Sequence, residues 1–405
     1  MLAGSECPKH SRYDVVIIGG AIMGSSAAWF LASNPDFDGT ILVVERDPTY
    51  EYCSTAHTNS CMRQQFSSEL NVRISQFAAD FVKNLRDHLG GDERVPDLSI
   101  HSFGYLYLAD NGSFADVLRA NQKVQKRAGA ATKLMTTDEI HREYPFYNVE
   151  DILLGSINLV DEGYWDGSTV FDWLRWKARE EGAEYIHNEV VAMTQDAAES
   201  TIESVRLSSG EEIACGTVIN ASGPRAARTA SMAGIELTVE PRKRFTWIFS
   251  AETPLDRDLP LTIDPSGVHV REYGGGSYLC GGHSAVDPAV EYNDFAMDQS
   301  IWTEHIWPAL ANRIPQFEAI KVTHEWAGHY AYNVFDQNAV VGPHSRLKNF
   351  MFLNGFSGHG LQQSPAMGRG IAERITYGDY RTLDLSPFSF ERFANENPVV
   401  EQAII

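Results

Sequence analysis

Gly19-Gly20-Ala21-Ile22-Met23-Gly24 and the later acid Glu45 are residue types that hold a dinucleotide. A glycine-rich turn lets backbone N–H groups face a pyrophosphate, and a helix start favours negative charge there. Glu45 can accept hydrogen bonds from the adenosine ribose hydroxyls, and its charge repels a 2′-phosphate. The ligand expected on this ground is FAD or NAD and not NADP. The middle glycine of G-x-G-x-x-G is Ala21, whose methyl group narrows the approach of backbone to phosphate without abolishing it. A second glycine-rich stretch, Asn354-Gly355-Phe356-Ser357-Gly358-His359-Gly360, opens the last helix and places further N–H groups at a helix start. No Ser-His-Asp, metal-ligand or paired-carboxylate signature competes with these two turns.

The elements around the first turn have the required order. Residues 15–18 are an uninterrupted apolar run, which suits a strand buried on both faces. A helix over 25–32 and a second buried strand over 41–44, ending at Glu45, complete a dinucleotide-binding βαβ unit. A polar loop then leads into a helix over about 69–89, where Leu70, Ile74, Phe77, Phe81 and Leu85 recur at three and four. A strand over 103–109 and a helix over 114–128 follow. Thr136 to Glu139 reads as the cap of a short helix that Pro145 ends. Residues 151–160 return to strand character, and 168–181 form a helix. Three short strands (190–193, 202–207, 212–214) could make a meander. Residues 217–220 read as a separate buried strand ending at Ala221-Ser222-Gly223, the small-residue turn that lets a ligand approach a doubly wound sheet. From 236 to about 325 the texture changes. Strands over 244–251, 267–272 and 278–282 alternate with turns, with one long helix over 295–314, so an antiparallel sheet and covering helix are expected. A strand over 349–353 precedes the last helix, which runs to about 376.

With 405 residues the chain is long enough for two or three domains and a large core. Its formal charge of −21 argues against nucleic acid and anionic membrane surfaces as partners. No apolar run is long enough to span a bilayer. The first twelve residues lack an apolar core, so no secretory signal is expected. The five cysteines are scattered without metal-ligand spacing, and reduced thiols in a cytoplasm are the default expectation.

With the first βαβ unit, VINASG (218–223) and GFSGHGLQQSPAMG (355–368) in hand, the chain resembles the D-amino-acid-oxidase-type FAD oxidoreductases, which include sarcosine oxidases, glycine oxidases and amino-acid dehydrogenases. Residues 62–67 and the run from Trp326 to Pro343 are similar to one branch of it. That branch contains a mitochondrial FAD-oxidoreductase-domain protein implicated in respiratory complex I assembly. The resemblance implies an α/β fold: a Rossmann-like FAD-binding domain with a second antiparallel-sheet α+β substrate domain. The first would be discontinuous (1–95, 150–235 and 336–385), the second would take 96–149 and 236–335, and 386–405 would be a C-terminal tail.

The resemblance also implies a cofactor and a site. FAD would be bound non-covalently, because the covalent flavin cysteine of monomeric sarcosine oxidases falls near His329. Its contacts would come from Gly19, Gly20, Ala21, Ile22, Met23 and Gly24, from Glu45 and Arg46, and from Thr55, Ala56, Asn59, Ser60 and Met62. Val191, Ala221, Ser222 and Gly223 would add to these. So would Gly355, Gly358, His359, Gly360, Leu361 and Gln362 at the last helix, whose start stabilises negative charge developing on a reduced flavin. Arg63 falls where sarcosine oxidases bind the substrate carboxylate, a role that suits a planar guanidinium; the other reading is a structural ion pair or flavin contact. Arg271 is a second candidate for that role. Gln362 replaces a carboxylate-holding lysine, which departs from a sarcosine-type substrate. His283 aligns with an active-site histidine, and its alternative is a satisfied strand residue. His359 could add a donor. The lysine that activates oxygen aligns with about Leu279, so an electron carrier is as credible an acceptor as O2. The expected activity is hydride transfer from the carbon beside the amine of an amino acid or N-substituted amino acid to flavin N5. The resulting imine would be hydrolysed. The alternatives are a flavoprotein assembly factor for a respiratory complex, and a 2-hydroxy-acid dehydrogenase.

Overall fold

The computed structural model describes residues 4–403, so the ends of the first expected segment and of the tail lie outside the described residues. Two eight-stranded sheets organise the chain. In the first, Phe350–Asn354, Glu212–Asn220, Arg12–Ile18, Ile41–Glu45 and Glu184–His187 run parallel, in that spatial order. Val340–Pro343 closes one edge antiparallel. Alternate residues explain the apolar runs. Val15, Ile17 and Val43 pack against helices on one face, while Val16, Ile18, Leu42 and Val44 join a second core on the other. A strand covered on both sides has no polar face to display.

Helix Ile22–Ala32 packs against Gly167–Glu180 and Gly360–Tyr377. Nearly every one of its residues is buried, and small side chains let the helices approach closely. A Cβ on Gly368 would lie 2.2 Å from Ser26 Oγ, so only glycine fits at that crossing.

The second sheet runs Ile320–Asn333, Val239–Ala251, Ser277–Gly282, His269–Gly274, Leu261–Ile263, Tyr105–Ala109, Leu154–Asn158, Lys133–Met135. Only Leu261–Ile263 and Tyr105–Ala109 pair in parallel. Trp247, Phe249, Tyr278 and Cys280 pack under a helical cover that contributes Ile306, Leu310 and Phe317.

Several expectations are corrected. Leu154–Asn158 pairs antiparallel with Tyr105–Ala109, so the boundary at 150 falls too early: this strand belongs with the second sheet. Residues 212–220 are one nine-residue strand, not a meander strand followed by another; residues 212–214 pair with the meander and 214–220 with Arg12–Ile18. The helix over 69–89 breaks at Asn84, whose φ −114°, ψ 32° is not helical. The helix over 295–314 begins at Gln299 and passes through a π-helical stretch, Trp302–Ile306, ahead of Pro308. Proline has no N–H to donate to the preceding turn, and the wider turn absorbs the mismatch. Ile320–Asn333, a 14-residue edge strand, was not anticipated, because much of its first half is exposed and polar. The last helix starts at Gly360, after a looped turn.

The tail docks. Phe390 stacks on Phe352 at 4.7 Å between ring centroids. The buried Arg392 guanidinium meets Asp336 at 2.7 and 2.9 Å.

Candidate flavin and substrate site

The first turn lies where the parallel sheet changes direction: Arg12–Ile18 is flanked by Ile41–Glu45 on one side and Glu212–Asn220 on the other, so a crevice opens beyond their carboxyl ends. Gly19 has φ +101°, a conformation that favours glycine. A Cβ on Gly24 would lie 1.9 Å from the Gly19 carbonyl oxygen. Ala21, by contrast, has φ −67° and caps the helix start. That conformation suits any L-residue, which is why the departure from the glycine pattern does not deform the turn. The Glu45 carboxylate accepts from Gly20 N and Asp47 N, each at 2.8 Å. Burial raises its pKa in spite of these donors.

The second turn is built from Gly355 (φ +69°), Ser357 (φ +49°) and Gly358 (φ +94°). A Cβ on Gly358 would sit 2.5 Å from the Tyr330 ring. No side chain caps the helix that follows, leaving its first N–H groups available to a ligand.

One cavity joins the two turns. At one end its wall includes Gly19, Ala21, Ile22, Met23, Glu45 and Arg46, with Ala221, Ser222 and Gly223 across the crevice. At the other it includes Gly358, His359, Gly360, Leu361 and Gln362, and between them Thr55, Asn59 and Arg63. Gly20, Gly24 and Gly355 stand behind this wall, as do Ala56, Ser60 and Met62. Met62 is wholly buried in the core beside the parallel sheet. Val191 points outward, 37% exposed, and its neighbour Val190 lines the cavity instead; strand alternation puts only one of the two there.

Arg63 is 2% exposed and follows the two-residue strand Cys61–Met62. Its backbone N–H donates to Gln362 Oε1 at 2.8 Å. Nη1 donates to the Gln65 carbonyl, and Nη2 lies 2.9 Å from His359 Nε2. Because arginine only donates, His359 Nε2 accepts and the ring is neutral with its proton on Nδ1. Burial, with the Arg63 charge, keeps the His359 pKa well below the ordinary value. Among the described residues no carboxylate oxygen lies within 4 Å of the Arg63 guanidinium. Gln362 Nε2 is buried with no partner.

A buried carboxylate braces this segment from behind. Glu162 Oε1 accepts from Gln64 N at 2.6 Å and Asn158 Nδ2 at 2.9 Å, and Oε2 accepts from Gln65 Nε2 at 3.0 Å. Burial pushes its pKa up to about 8. Gln65 also reaches the Tyr105 carbonyl and Ser156 Oγ, tying Arg63 to the second sheet.

The remaining two candidates stand outside the cavity wall. Arg271 is buried, donating from Nη2 to the Asn59 carbonyl at 2.9 Å. The half-buried His283 has Nδ1 2.8 Å from the Ser284 carbonyl. The residues that sequence reasoning missed are His269, Arg244, Tyr105 and Glu162, of which the first three line the cavity. The signal for His269 was the Gly281-Gly282 pair. His269 pairs with Gly281 across strands, and a Cβ on Gly281 would lie 2.9 Å from the imidazole.

Residues 14–374 match the model of the family described as DAO, FAD dependent oxidoreductase. The chain belongs to this family. FAD-dependent oxidoreductase domain-containing protein 1 of Xenopus laevis is 37% identical over 97% of this chain and 85% of that protein; the Bos taurus protein of the same name is 36% identical over 97% and 87%. Among solved structures, L-proline dehydrogenase from P. horikoshii superposes with a TM-score of 0.81 at 26% identity, covering 96% of this chain and 99% of the other. Glycine oxidase from Geobacillus kaustophilus shares the fold, with a TM-score of 0.77 at 22% identity over 94% and 98%. The cofactor of this DAO-family chain is FAD, and the groups present fit it: an uncapped helix start and the phosphate turn border one cavity, and Gln362, whose amide nitrogen has no protein partner, belongs to the same wall. Among the described residues no helix is long and apolar enough to cross a membrane, and no cluster could hold a metal ion.

Proposed function

We propose that this oxidoreductase oxidises the C–N bond of an amino acid or N-substituted amino acid, giving an imine that water hydrolyses. The observation that carries the reading is Arg63: a buried guanidinium in the wall of the FAD cavity with no carboxylate within 4 Å among the described residues. A buried cation of this kind is completed by an anionic ligand. The substrate carboxylate is that ligand, and it sets the carbon beside the amine near the start of the last helix. FAD, non-covalently bound, supplies the hydride acceptor. His359, held neutral, orients Arg63 without adding a second charge. The amine reacts in its neutral form, so no strong base is required of the chain. The dehydrogenases and oxidases of amino acids among its relatives support the same class.

Mixing the holoprotein anaerobically with a panel of amino acids and N-alkyl amino acids tests this. Bleaching of the flavin absorbance, with release of ammonia or an amine, is the expected result. Bleaching by 2-hydroxy acids alone would replace it with the alcohol-oxidising alternative. No bleaching at all, with co-purification of respiratory subunits, would favour the assembly role.

A further inference from the structure

His269 and Arg244 make a second polar patch on the same cavity, contributed by the second sheet. His269 is 7% exposed and lines the cavity. Asn59 Nδ2 lies 2.7 Å from His269 Nε2. An amide NH2 only donates, so Nε2 accepts and the ring proton sits on Nδ1. That Nδ1 is buried with no protein partner. Arg244 lines the same wall, and its Nε is likewise buried without a partner. Unpaired buried donors are costly unless a ligand completes them.

The field at this patch is positive. Arg244 is bidentate with Asp287 at 2.6 and 3.0 Å, which offsets part of its charge. Arg271, two residues along the strand from His269, has no ion-pair partner within 4 Å among the described residues. Both arginines oppose a charge on His269 and, after burial, help hold its pKa down to about 4. The imidazole is therefore a neutral donor in a positive environment. It is also a separate hydrogen-bonded group from that of Arg63: His269 meets Asn59, whereas Arg63 meets Gln65 and His359.

We infer that His269 Nδ1 and Arg244 Nε form a second anion subsite that takes a further carboxylate of the substrate, so that the preferred substrate is an amino acid carrying two carboxylates. This deepens the proposed function and rests on Arg63 holding the first carboxylate. A single-carboxylate amino acid would leave the His269 donor unanswered; a dicarboxylate of the right span answers both ends.

Unreactive probes test it without turnover. The holoprotein is titrated with butyrate and with succinate, glutarate and adipate, and binding is read from perturbation of the flavin spectrum. One of the dicarboxylates is expected to bind at least ten-fold more tightly than butyrate. His269→Ala should abolish that preference while changing butyrate affinity less than two-fold, and His269→Gln, which keeps a donor, should restore part of it. Equal affinity for mono- and dicarboxylates in the unaltered protein would overturn the inference, as would equal weakening of both classes in the variants. Should His269→Ala lose FAD, the His269→Gln protein and Arg244→Met carry the same comparison. If butyrate itself fails to bind, or binds Arg63→Ala equally well, the Arg63 reading fails, and that outcome is distinct from loss of the dicarboxylate preference alone.

Discussion

Arg63 Nη2 and His359 Nε2 lie 2.9 Å apart although 296 residues separate them in the chain. The contact joins the segment after the phosphate turn to the start of the last helix, and because arginine only donates, it leaves the imidazole neutral. The guanidinium stays a cation, the imidazole stays neutral, and one net positive charge is presented to the cavity.

Arg63→Ala should weaken carboxylate binding by about 2–3 kcal/mol, or 30- to 150-fold, the scale of a lost charge-assisted contact. Arg63→Lys should recover little of it, because a point charge cannot reproduce the fork that reaches both Gln65 and His359. Anaerobic titration with butyrate measures both. Affinity within three-fold of the unaltered protein would remove Arg63 from the site.

Above pH 8, where Glu162 is ionised, Glu162→Gln should destabilise the protein by about 1–3 kcal/mol, because one carboxylate oxygen serves two donors and the other a third. An amide NH2 in either place sets donor against donor. Carboxylate affinity should fall as well, since Gln64 and Gln65 hold the Arg63 segment. Thermal melting and the same titration would report the two effects, and a variant as stable as the parent would show the brace to be dispensable.

Gly24→Ala and Ala21→Gly should differ sharply. The first puts a methyl group 1.9 Å from the Gly19 oxygen and should abolish retained FAD. The second replaces a residue whose φ of −67° any residue adopts, so flavin content should stay near that of the parent. The flavin-to-protein absorbance ratio after gel filtration decides between these outcomes.

His269 makes stability depend on acid. Its folded pKa is about 4, below the ordinary 6.5, so the folded state favours the neutral ring. The contribution is full above pH 6.5 and is lost as pH falls from 6.5 towards 4, on the order of 3 kcal/mol in all. Melting curves at pH 7.5, 6, 5 and 4 should show a decline that is shallower in His269→Gln. Parallel curves for the two proteins would mean that the ring is charged or exposed.

Much of the scaffold was legible because its signals are local. The run Val15 to Ile18, the glycines after it and the terminal acid Glu45 each state a backbone requirement that holds wherever the chain goes: burial on both faces, a left-handed turn, an acceptor at a strand end. The N-cap beginning at Thr136 was readable for the same reason, and the structure completes it as a capping box with Glu139. Where local signals were absent, the expectations failed. The exposed polar half of Ile320–Asn333 becomes a strand only because Val239–Ala251 offers it a ladder, and Leu154–Asn158 joins the second sheet by pairing with Tyr105–Ala109.

The sequence alone determined the βαβ unit, the two amide-rich turns and, through its resemblance, the cofactor class. Only the tertiary structure decided which side chains meet. Val190 instead of Val191 faces the cavity because strands alternate, and His269 instead of His283 reaches it because Gly281 leaves room for the ring across the ladder. Turn and helix signals lie within a few residues of the backbone they shape. The partners of a buried donor are set by sheet register and packing between segments hundreds of residues apart, and no local pattern encodes that.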